Sequence, residues 1–171
     1  MDHCYKTFVS LGNSKQYFPR LIKLVLSCAT LLPRPIFIQH GHTPLDYAQN
    51  QFFESPFAHF VEFLPMDIFI EYVNNADVLV GHAGAGFILH ALKAQKHPLV
   101  MARRACLDEV VNDHQVIFAR QLHLQKKVTI IEDSNTLNIA LNNLAKKKVA
   151  PSSKQMKAQQ TLDNQLRKIL A

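Results

Sequence analysis

Residues 77–86 read DVLVGHAGAG. Residues 77–81 form an almost wholly apolar run, which is typical of a parallel strand that is covered on both faces. The run leads into a turn that contains Gly84 and Gly86, and a helical pattern follows at about residues 87–95. Glycines let the backbone approach a ligand closely, while the N–H groups and dipole of the first helical turn attract an anion. The segment therefore predicts a strand, turn and helix that bind a phosphate or diphosphate, although a tight turn without a ligand has the same spacing.

The same alternation of strand and helix extends along the chain in both directions. The predicted strands occupy residues 6–10, 36–39, 58–64, 77–81, 99–102 and 128–131, and the predicted helices occupy residues 18–31, 66–75, 87–95, 113–122 and 135–147. Regular alternation with near-continuous apolar strands predicts an α/β fold with a doubly wound, mostly parallel, Rossmann-like sheet. Such sheets bind ligands beyond the carboxyl ends of their strands.

Charge is distributed unevenly between the body of the chain and its end. Through residue 145, twelve Lys and Arg residues balance twelve Asp and Glu residues, so the net charge of +6 lies in the last segment. We predict that residues 1–150 form the Rossmann-like domain and that residues 151–171 form a basic amphipathic helix or tail. The apolar residues of this tail recur at helical spacing and are Ala158, Leu162, Leu166 and Ile169. A neutral body with a basic tail argues against a nucleic-acid-binding core. It fits a tail that meets an anionic membrane or an acidic partner, or one that is merely solvated.

Composition narrows the class of protein further. The 171 residues suffice for one well-packed domain. The three cysteines are scattered and show no Cys-x-x-Cys spacing, which indicates reduced thiols in a cytosolic setting. The nine histidines include no His-x-x-x-His pair, so neither a metal nor another cofactor is expected. The first residues do not resemble a signal peptide, and no apolar run approaches the ~20 residues that span a membrane.

Two further groups of polar residues follow the strand at residues 99–102. Arg103 and Arg104 come directly after it, and their guanidinium groups suit diphosphate oxygens, although a solvated basic loop reads the same way. Residues 112–115, NDHQ, begin the next predicted helix. Their side chains either cap its first turn or reach a sugar or phosphate oxygen at the strand ends.

Residues 80–122 resemble the carboxy-terminal, donor-binding domain of family 28 glycosyltransferases. The segment reads VGHAGAGFILHALKAQKHPLVMARRACLDEVVNDHQVIFARQL. It is most similar to the split members, which include bacterial exopolysaccharide transferases and the eukaryotic UDP-GlcNAc transferase of the dolichol pathway. The opening KTFVSLGNS, residues 6–14, resembles the family's opening strand and turn, so the resemblance covers about residues 7–131.

In that family the HAGAG turn and the DHQ box bind the UDP-sugar. The resemblance, together with the basic pair after the strand, implies a donor site in this chain. Its expected members are Gly12, Asn13, His82, Ala83, Gly84, Ala85, Gly86, Arg103, Arg104, Asn112, Asp113, His114 and Gln115.

Four positions depart from the family pattern. Phe87 stands where the family usually has Ser or Thr, which removes a hydroxyl that contacts phosphate. His90 stands where single-chain relatives have a Glu that binds the ribose hydroxyls. The family's Gly-Lys-Pro turn is one residue longer here, QKHP at residues 95–98, and Asn13 replaces the usual Thr.

The resemblance also implies a reaction and a partner. Full-length members place two Rossmann-like domains face to face, the GT-B arrangement, and this chain matches only the donor half. The expected reaction transfers a hexose or N-acetylhexosamine from a UDP-sugar to a lipid-linked acceptor in polysaccharide or glycolipid synthesis. The expected partner is a membrane-anchored, acceptor-binding subunit, and the expected location is the cytoplasm, peripheral to the cytoplasmic face of the membrane. His82 is the first candidate for the catalytic base or a donor contact, unless the partner supplies the base.

Two other functions compete with this one. A catalytically degenerate nucleotide-sugar-binding or scaffolding subunit would explain Phe87, His90 and the altered turn. A free-standing epimerase or dehydrogenase is disfavoured, because the chain lacks a Gly-x-Gly-x-x-Gly turn and the acidic residue that follows it about 20 residues later.

Overall fold

The computed structural model describes residues 5–45 and 57–149, and these form strands and helices that alternate except at β2 and β3, which follow one another with no described helix between them. The strands are β1 (Thr7–Ser10), β2 (Ile36–Gln39), β3 (Ala58–Val61), β4 (Val78–His82), β5 (Leu99–Met101) and β6 (Thr129–Ile130). The helices are α1 (Pro19–Ser27), α2 (Met66–Asn75), α3 (Ala85–Lys93), α4 (His114–Leu124) and α5 (Ser134–Val149). A short 3₁₀ turn at Ala105–Leu107, which the sequence pattern does not predict, lies in the loop before α4. The six predicted strands and the five helices predicted before residue 150 are present; β2 and α2 have the predicted ends, and the ends of the others are shifted by a few residues.

The six strands are all parallel and lie in the order β3-β2-β1-β4-β5-β6. Strands β1 and β2 are buried along their whole length, as expected of central parallel strands. The predicted doubly wound parallel sheet is therefore confirmed. Strands β2 and β3 lie on one side of β1, and β4, the next strand along the sequence, pairs with β1 on its other side. The topological switch point lies between β1 and β4, and ligands of such sheets bind at the carboxyl ends of the strands there.

Helix α1 is shorter than its pattern predicts. Pro19 stands at its start, where the missing N–H of a proline costs little. Its buried face consists of Leu21, Ile22, Leu24, Val25 and Leu26. The predicted helix runs to residue 31, but α1 ends at Ser27, and the next residues form tighter turns with hydrogen bonds to the carbonyl three residues earlier. The helix cannot continue as far as Pro33, because the residue before a proline disfavours the helical conformation. The tighter turns redirect the chain before that point.

An aromatic cluster joins helix α2 to strands β1 and β2. The ring of Tyr72 packs edge-on against Phe37 and Phe8, with centroids 4.6 and 5.7 Å apart. The ring of Phe69 packs edge-on against Phe8 at 5.4 Å. Such aromatic pairs contribute about 0.5–1.5 kcal/mol each beyond the area they bury. The cluster therefore holds α2 on the sheet and fixes the position of Phe69, which lines the pocket described below.

The chain divides into two compact units, Met1–Leu141 and Asn142–Ala171. The first unit contains the whole sheet and helices α1 to α4. The predicted boundary after residue 150 and the predicted tail helix at residues 151–171 lie outside the described residues. Among the helices in the described ranges, none is both long and apolar enough to cross a bilayer. Cys28 is buried and Cys106 is exposed, and both are free thiols.

Candidate functional site

A cavity of about 210 Å³ opens at the carboxyl ends of β1, β2 and β4, which is the switch point of the sheet. Its polar wall is formed by Ser10, Gly12, Asn13, Gln39, His82, Gly86 and His90. Its apolar wall is formed by Leu64, Met66, Phe69 and Phe87. None of these lining residues is acidic. The pocket therefore combines a flat apolar surface with hydrogen-bonding groups and carries no negative charge that would repel an anion.

The turn between β4 and α3 supplies part of the polar wall. Gly84 precedes the helix in an extended conformation, and no side chain caps the N–H groups of the first turn. These N–H groups have no partner within the helix itself, so they can bind an anion. Gly86 lines the pocket, and a Cβ added to it would have no heavy atom within 4 Å. The open space over Gly86 is where a ligand can approach the backbone, as the sequence predicts for this turn.

Gly84 and Gly12 have a different role, because both make room for the imidazole of His82. A Cβ added at Gly12 would lie 2.6 Å from Cε1 of His82, and a Cβ added at Gly84 would lie 2.6 Å from Cδ2. Gly12 also has a positive φ of 76°, which a side chain would strain. Gly12 lies in the loop after β1 and Gly84 in the loop after β4, and both lie against the ring. For Gly84 the sequence predicts an approach to the ligand, whereas the structure shows a close approach to His82.

The His82 side chain is neutral at physiological pH. Burial lowers its pKa from 6.5 to about 4; the hydrogen bond to the backbone of Ser10 raises it, and the charge of Arg103 lowers it further. The Nδ1 atom lies 3.3 Å from the carbonyl oxygen of Ser10. Because a carbonyl only accepts, Nδ1 carries the proton and Nε2 keeps a lone pair. His82 therefore offers the pocket a hydrogen-bond acceptor, which suits a hydroxyl group and is a weak proton acceptor at neutral pH.

Two polar residues of the pocket were not predicted as site residues. Ser10 and Gln39 are the last residues of β1 and β2, and both side chains are buried. The Ser10 hydroxyl donates to Gln39 Oε1 at 2.9 Å, and Gln39 Nε2 donates to Asn13 Oδ1 at 3.2 Å. The signal in the sequence is a polar residue that ends each of two mostly apolar strands, TFVS and IFIQ. Strand ends of this kind point at the ligand in a parallel sheet.

Phe87 and His90, the two departures from the family pattern, belong to the pocket wall. The Phe87 ring is buried against the backbone of Gly81, where an added Cβ would lie 2.6 Å from Cε1 of the ring. The imidazole of His90 packs edge-on against Phe69, with centroids 5.8 Å apart. The helix therefore carries no hydroxyl at position 87, and an aromatic pair stands where a carboxylate was expected in single-chain relatives.

Arg103 was predicted to bind diphosphate, but the structure places its side chain in the core. It is 1% exposed and does not line the pocket. Its Nη1 atom donates to the carbonyls of Gln16 and Glu109, and its Nη2 atom donates to the carbonyl of Leu11, all at 2.8–2.9 Å. Burial lowers its pKa to about 10, while Glu109 raises it. The guanidinium thus joins the loops after β1 and β5, and its Nη atoms are already used by backbone oxygens.

The neighbouring charges are likewise paired within the protein. Arg104 forms an exposed ion pair with Glu132, at 2.6 Å. Arg20 donates from Nε and Nη2 to the two carboxylate oxygens of Glu109, at 3.0 and 2.8 Å. The Glu109 side chain is only 4% exposed, whereas that of Arg20 is 26% exposed, so the carboxylate is the buried member of this ion pair. Arg104 was predicted to contact a diphosphate, but in this structure its guanidinium is paired with Glu132. The ion pair between Arg20 and Glu109 holds the loop after β5.

The DHQ box begins helix α4 as predicted, but none of its residues lines the pocket. The side chain of Asn112 accepts from the N–H of His114 at 3.2 Å and also contacts the His114 ring. Asp113 accepts from the N–H of Ala105 at 2.8 Å. Gln115 is buried and accepts from the N–H of Arg103 at 3.3 Å. Asp113 and Gln115 therefore tie α4 to the loop after β5, and Asp113 makes no capping hydrogen bond to the helix, whereas Asn112 accepts from its first N–H.

The remaining predicted residues lie around the pocket without lining it. Ala83 is fully buried at the end of β4, and Ala85 is exposed at the first position of α3. Within residues 5–45 and 57–149, no group of three His, Cys, Asp or Glu side chains is arranged to hold a metal ion.

Comparison with known proteins agrees with this description. The model of the glycosyltransferase family 28 C-terminal domain matches residues 8–170. Three solved structures are similar in fold. They are the glycotransferase of kitacinnamycin (TM-score 0.63, 21% identity, 89% of this chain and 37% of that one), the glycosyltransferase SnogD from Streptomyces nogalater (0.55, 15%, 95% and 44%), and Acinetobacter baumannii MurG (0.59, 18%, 88% and 43%).

These neighbours are too distant in sequence to establish more than the fold. The chain spans less than half the length of each of them. None of the curated proteins compared with the chain matches it. The family match, in contrast, extends over nearly the whole chain and includes the turn between β4 and α3. The chain therefore belongs to the glycosyltransferase family 28 C-terminal domain family.

Proposed function

We propose that this chain is the donor-binding subunit of a UDP-sugar-dependent glycosyltransferase. It transfers a hexose or N-acetylhexosamine to a lipid-linked acceptor in polysaccharide or glycolipid synthesis, together with a membrane-associated partner. The observation that carries the proposal is the pocket at the switch point, where the uncapped N-terminus of α3 faces an apolar wall. A nucleoside diphosphate has the matching parts, a flat base and two phosphates.

The donor binds with its diphosphate over Gly86 and its base against Leu64, Met66 and Phe69. The N–H groups of the first turn of α3 donate to phosphate oxygens and stabilise the negative charge that develops on the departing UDP. No metal ion is part of this proposal, because the helix N-terminus and the amides of the pocket supply the neutralising groups.

His82 accepts a hydrogen bond from a hydroxyl of the donor sugar or of the acceptor. With a pKa of about 4 it is a poor general base at neutral pH, so we assign the base that activates the acceptor hydroxyl to the partner. The sequence alone favours His82 as this base, and its lowered pKa is the reason for the different assignment.

A partner is part of the proposal because the described residues form one Rossmann-like sheet, and the chain spans less than half the length of each similar structure. We assign to this partner the domain that builds the acceptor site opposite the pocket. The seven basic residues that follow residue 145 provide a second means of association, with an anionic membrane at its cytoplasmic face or with the partner.

The alternative is a nucleotide-sugar-binding or scaffolding subunit without catalysis. Two observations favour it: Phe87 and His90 replace polar groups that the family uses, and the DHQ box does not line the pocket. Under this alternative the chain binds UDP, yet substitutions in its pocket leave the activity of the complex unchanged.

The test begins with titration of UDP and of a panel of UDP-sugars into the purified chain by calorimetry. The native complex is then isolated and assayed with the same donors and a lipid-linked acceptor. We expect UDP to bind the chain alone and sugar transfer to require the complex. Failure of UDP to bind either the chain or the complex would refute the proposal. Full turnover by the isolated chain on a soluble acceptor would refute the need for a partner.

A chain that ends at Ala150 tests the basic tail. We expect it to keep UDP binding and to lose association with vesicles that contain anionic lipid, or with the partner. The vesicle binding of the full chain should weaken at high salt, because polybasic contacts are screened. A large fall in melting temperature on truncation would instead assign the tail to the fold of the domain.

A further inference from the structure

A directed chain of hydrogen bonds crosses the floor of the pocket. The backbone N–H of Gly12 donates to the Ser10 hydroxyl at 3.3 Å, and that hydroxyl donates to Gln39 Oε1 at 2.9 Å. Gln39 Nε2 in turn donates to Asn13 Oδ1 at 3.2 Å. A backbone N–H only donates, so the Ser10 oxygen accepts there and its single proton goes to Gln39. The bond from the Ser10 hydroxyl to Oε1 sets the orientation of the Gln39 amide.

The first two side chains of this hydrogen-bond series, Ser10 and Gln39, are buried, and the last, Asn13, is exposed. Ser10 is 1% exposed and Gln39 is 3% exposed, and both are anchored in central strands. Asn13 lies in an exposed turn, where an amide side chain can otherwise rotate freely. If Gln39 were flipped, its Nε2 group would face the Ser10 oxygen, and the buried Ser10 proton would lose Gln39 Oε1 as its acceptor. Gln39 therefore has one favoured orientation and imposes it on Asn13.

The consequence lies on the pocket side of Asn13. Since Oδ1 accepts from Gln39, the Nδ2 group is the one left for a ligand, and within the described residues it has no hydrogen-bond partner. Nδ2 carries two N–H groups and accepts nothing. Asn13 shares the pocket wall with Gly12 and Gly86, beside the N-terminus of α3. The Nδ2 group of Asn13 and the uncapped N–H groups at the N-terminus of α3 thus both offer donors to the pocket, and they match a group that only accepts, such as a phosphate.

We propose that Gln39 is a positioning residue, which turns the amide of Asn13 so that its N–H groups bind the phosphate oxygens of the ligand. The proposal rests on the proposed function in taking the ligand to be a nucleoside diphosphate. Gln39 itself does not touch the ligand phosphate in this arrangement; it acts through Asn13.

The first experiment tests the polarity of Asn13 with two substitutions at an exposed position. Asn13→Asp keeps the shape and replaces the donors by acceptors, whereas Asn13→Ala removes both. We expect affinity for UDP, measured by calorimetry, to fall about tenfold or more in Asn13→Ala and further in Asn13→Asp. Affinity for uridine, which lacks phosphate, should not change. Wild-type affinity of Asn13→Asp for UDP would overturn the proposal.

The second experiment tests whether Gln39 acts through Asn13. Gln39→Met removes the amide and keeps the length of the side chain. We expect it to weaken UDP binding by about tenfold in the wild-type background and to have no further effect in Asn13→Ala, while its effect on melting temperature is the same in both. Equal losses of affinity in the two backgrounds would assign Gln39 a merely structural role. Gln121→Met, on the exposed face of α4, is the matched control and should bind UDP as the wild type does.

Inorganic pyrophosphate separates this proposal from the proposed function. If the wild type binds pyrophosphate but not UDP, and the binding depends on Asn13 and Gln39, the positioning role stands and the nucleotide assignment fails. If UDP binds equally to all variants, the positioning role fails and the proposed function stands. If neither probe binds the wild type, both are refuted.

Discussion

Substitution of Gly86 by valine should weaken ligand binding and leave stability nearly unchanged, whereas substitution of Gly84 by alanine should lower stability. A Cβ at Gly86 meets no heavy atom within 4 Å, and the residue is exposed on the pocket wall. Gly86→Val should therefore fold normally, since valine in a helix costs less conformational entropy than glycine. Its branched side chain occupies the space that a phosphate needs to reach the N–H groups of α3.

The magnitude follows from the interaction that is lost. A hydrogen bond to a charged group contributes about 1.5–3 kcal/mol, so loss of one such bond weakens UDP binding by about 10-fold to 100-fold. Gly84 has a backbone conformation that alanine tolerates, with φ at −80° and ψ at 141°. Its Cβ, however, would lie 2.6 Å from Cδ2 of His82. Gly84→Ala must displace the imidazole from its bond to Ser10, at a cost of about 1–3 kcal/mol in the free energy of unfolding.

Calorimetric titration with UDP tests the predicted loss of affinity, and thermal unfolding tests the predicted loss of stability, in both variants. We expect Gly86→Val to lose affinity with a nearly unchanged melting temperature, and Gly84→Ala to lower the melting temperature by roughly 2–12 °C. Wild-type affinity for UDP in Gly86→Val would refute the placement of the diphosphate over this turn. Unchanged stability of Gly84→Ala would refute the tight enclosure of His82.

Three further substitutions test individual parts of the structure. The folded-state pKa of His82 is about 4, below the unfolded value of 6.5, so the unfolded state binds the proton first as the pH falls. Stability should therefore drop below about pH 6.5, by roughly 2 kcal/mol at pH 5, and denaturant unfolding of His82→Asn should show a smaller drop. Arg20→Met leaves the buried carboxylate of Glu109 without its ion-pair partner and should lower the free energy of unfolding in denaturant by about 3–5 kcal/mol. Adding Glu109→Gln to this variant should restore part of the loss. An unchanged free energy of unfolding in Arg20→Met would mean that the carboxylate is not buried in solution. Phe87→Ser, which introduces a residue type that the family uses, should cost about 3–5 kcal/mol because it empties the space over Gly81, and a stability equal to that of the wild type would contradict the packing of this ring.

Most of the fold could be predicted from local patterns in the sequence. An apolar run that is bounded by glycine or proline predicts a buried strand, and a helical period predicts a helix, because both are properties of neighbouring residues. Strand β2 and helix α2 begin and end at the predicted residues. Helix α1 does not, since its end depends on where the chain turns to enter the sheet. The glycine turn after β4 was predicted as a ligand site for the same local reason, and the family followed from the HAGAG turn and the DHQ box together.

The identity of the pocket residues was decided by tertiary packing. Ser10 and Gln39 are 29 positions apart in the sequence, and only the pairing of β1 with β2 brings their side chains into one hydrogen-bond chain. Arg103 follows a strand end as a ligand-binding arginine would, yet the loops after β1 and β5 close over it and take its donors. The lowered pKa of His82 likewise arises from burial in the folded chain. Local sequence determines which conformation each segment adopts, whereas burial, polarity and charge at a site depend on which distant segments pack around it.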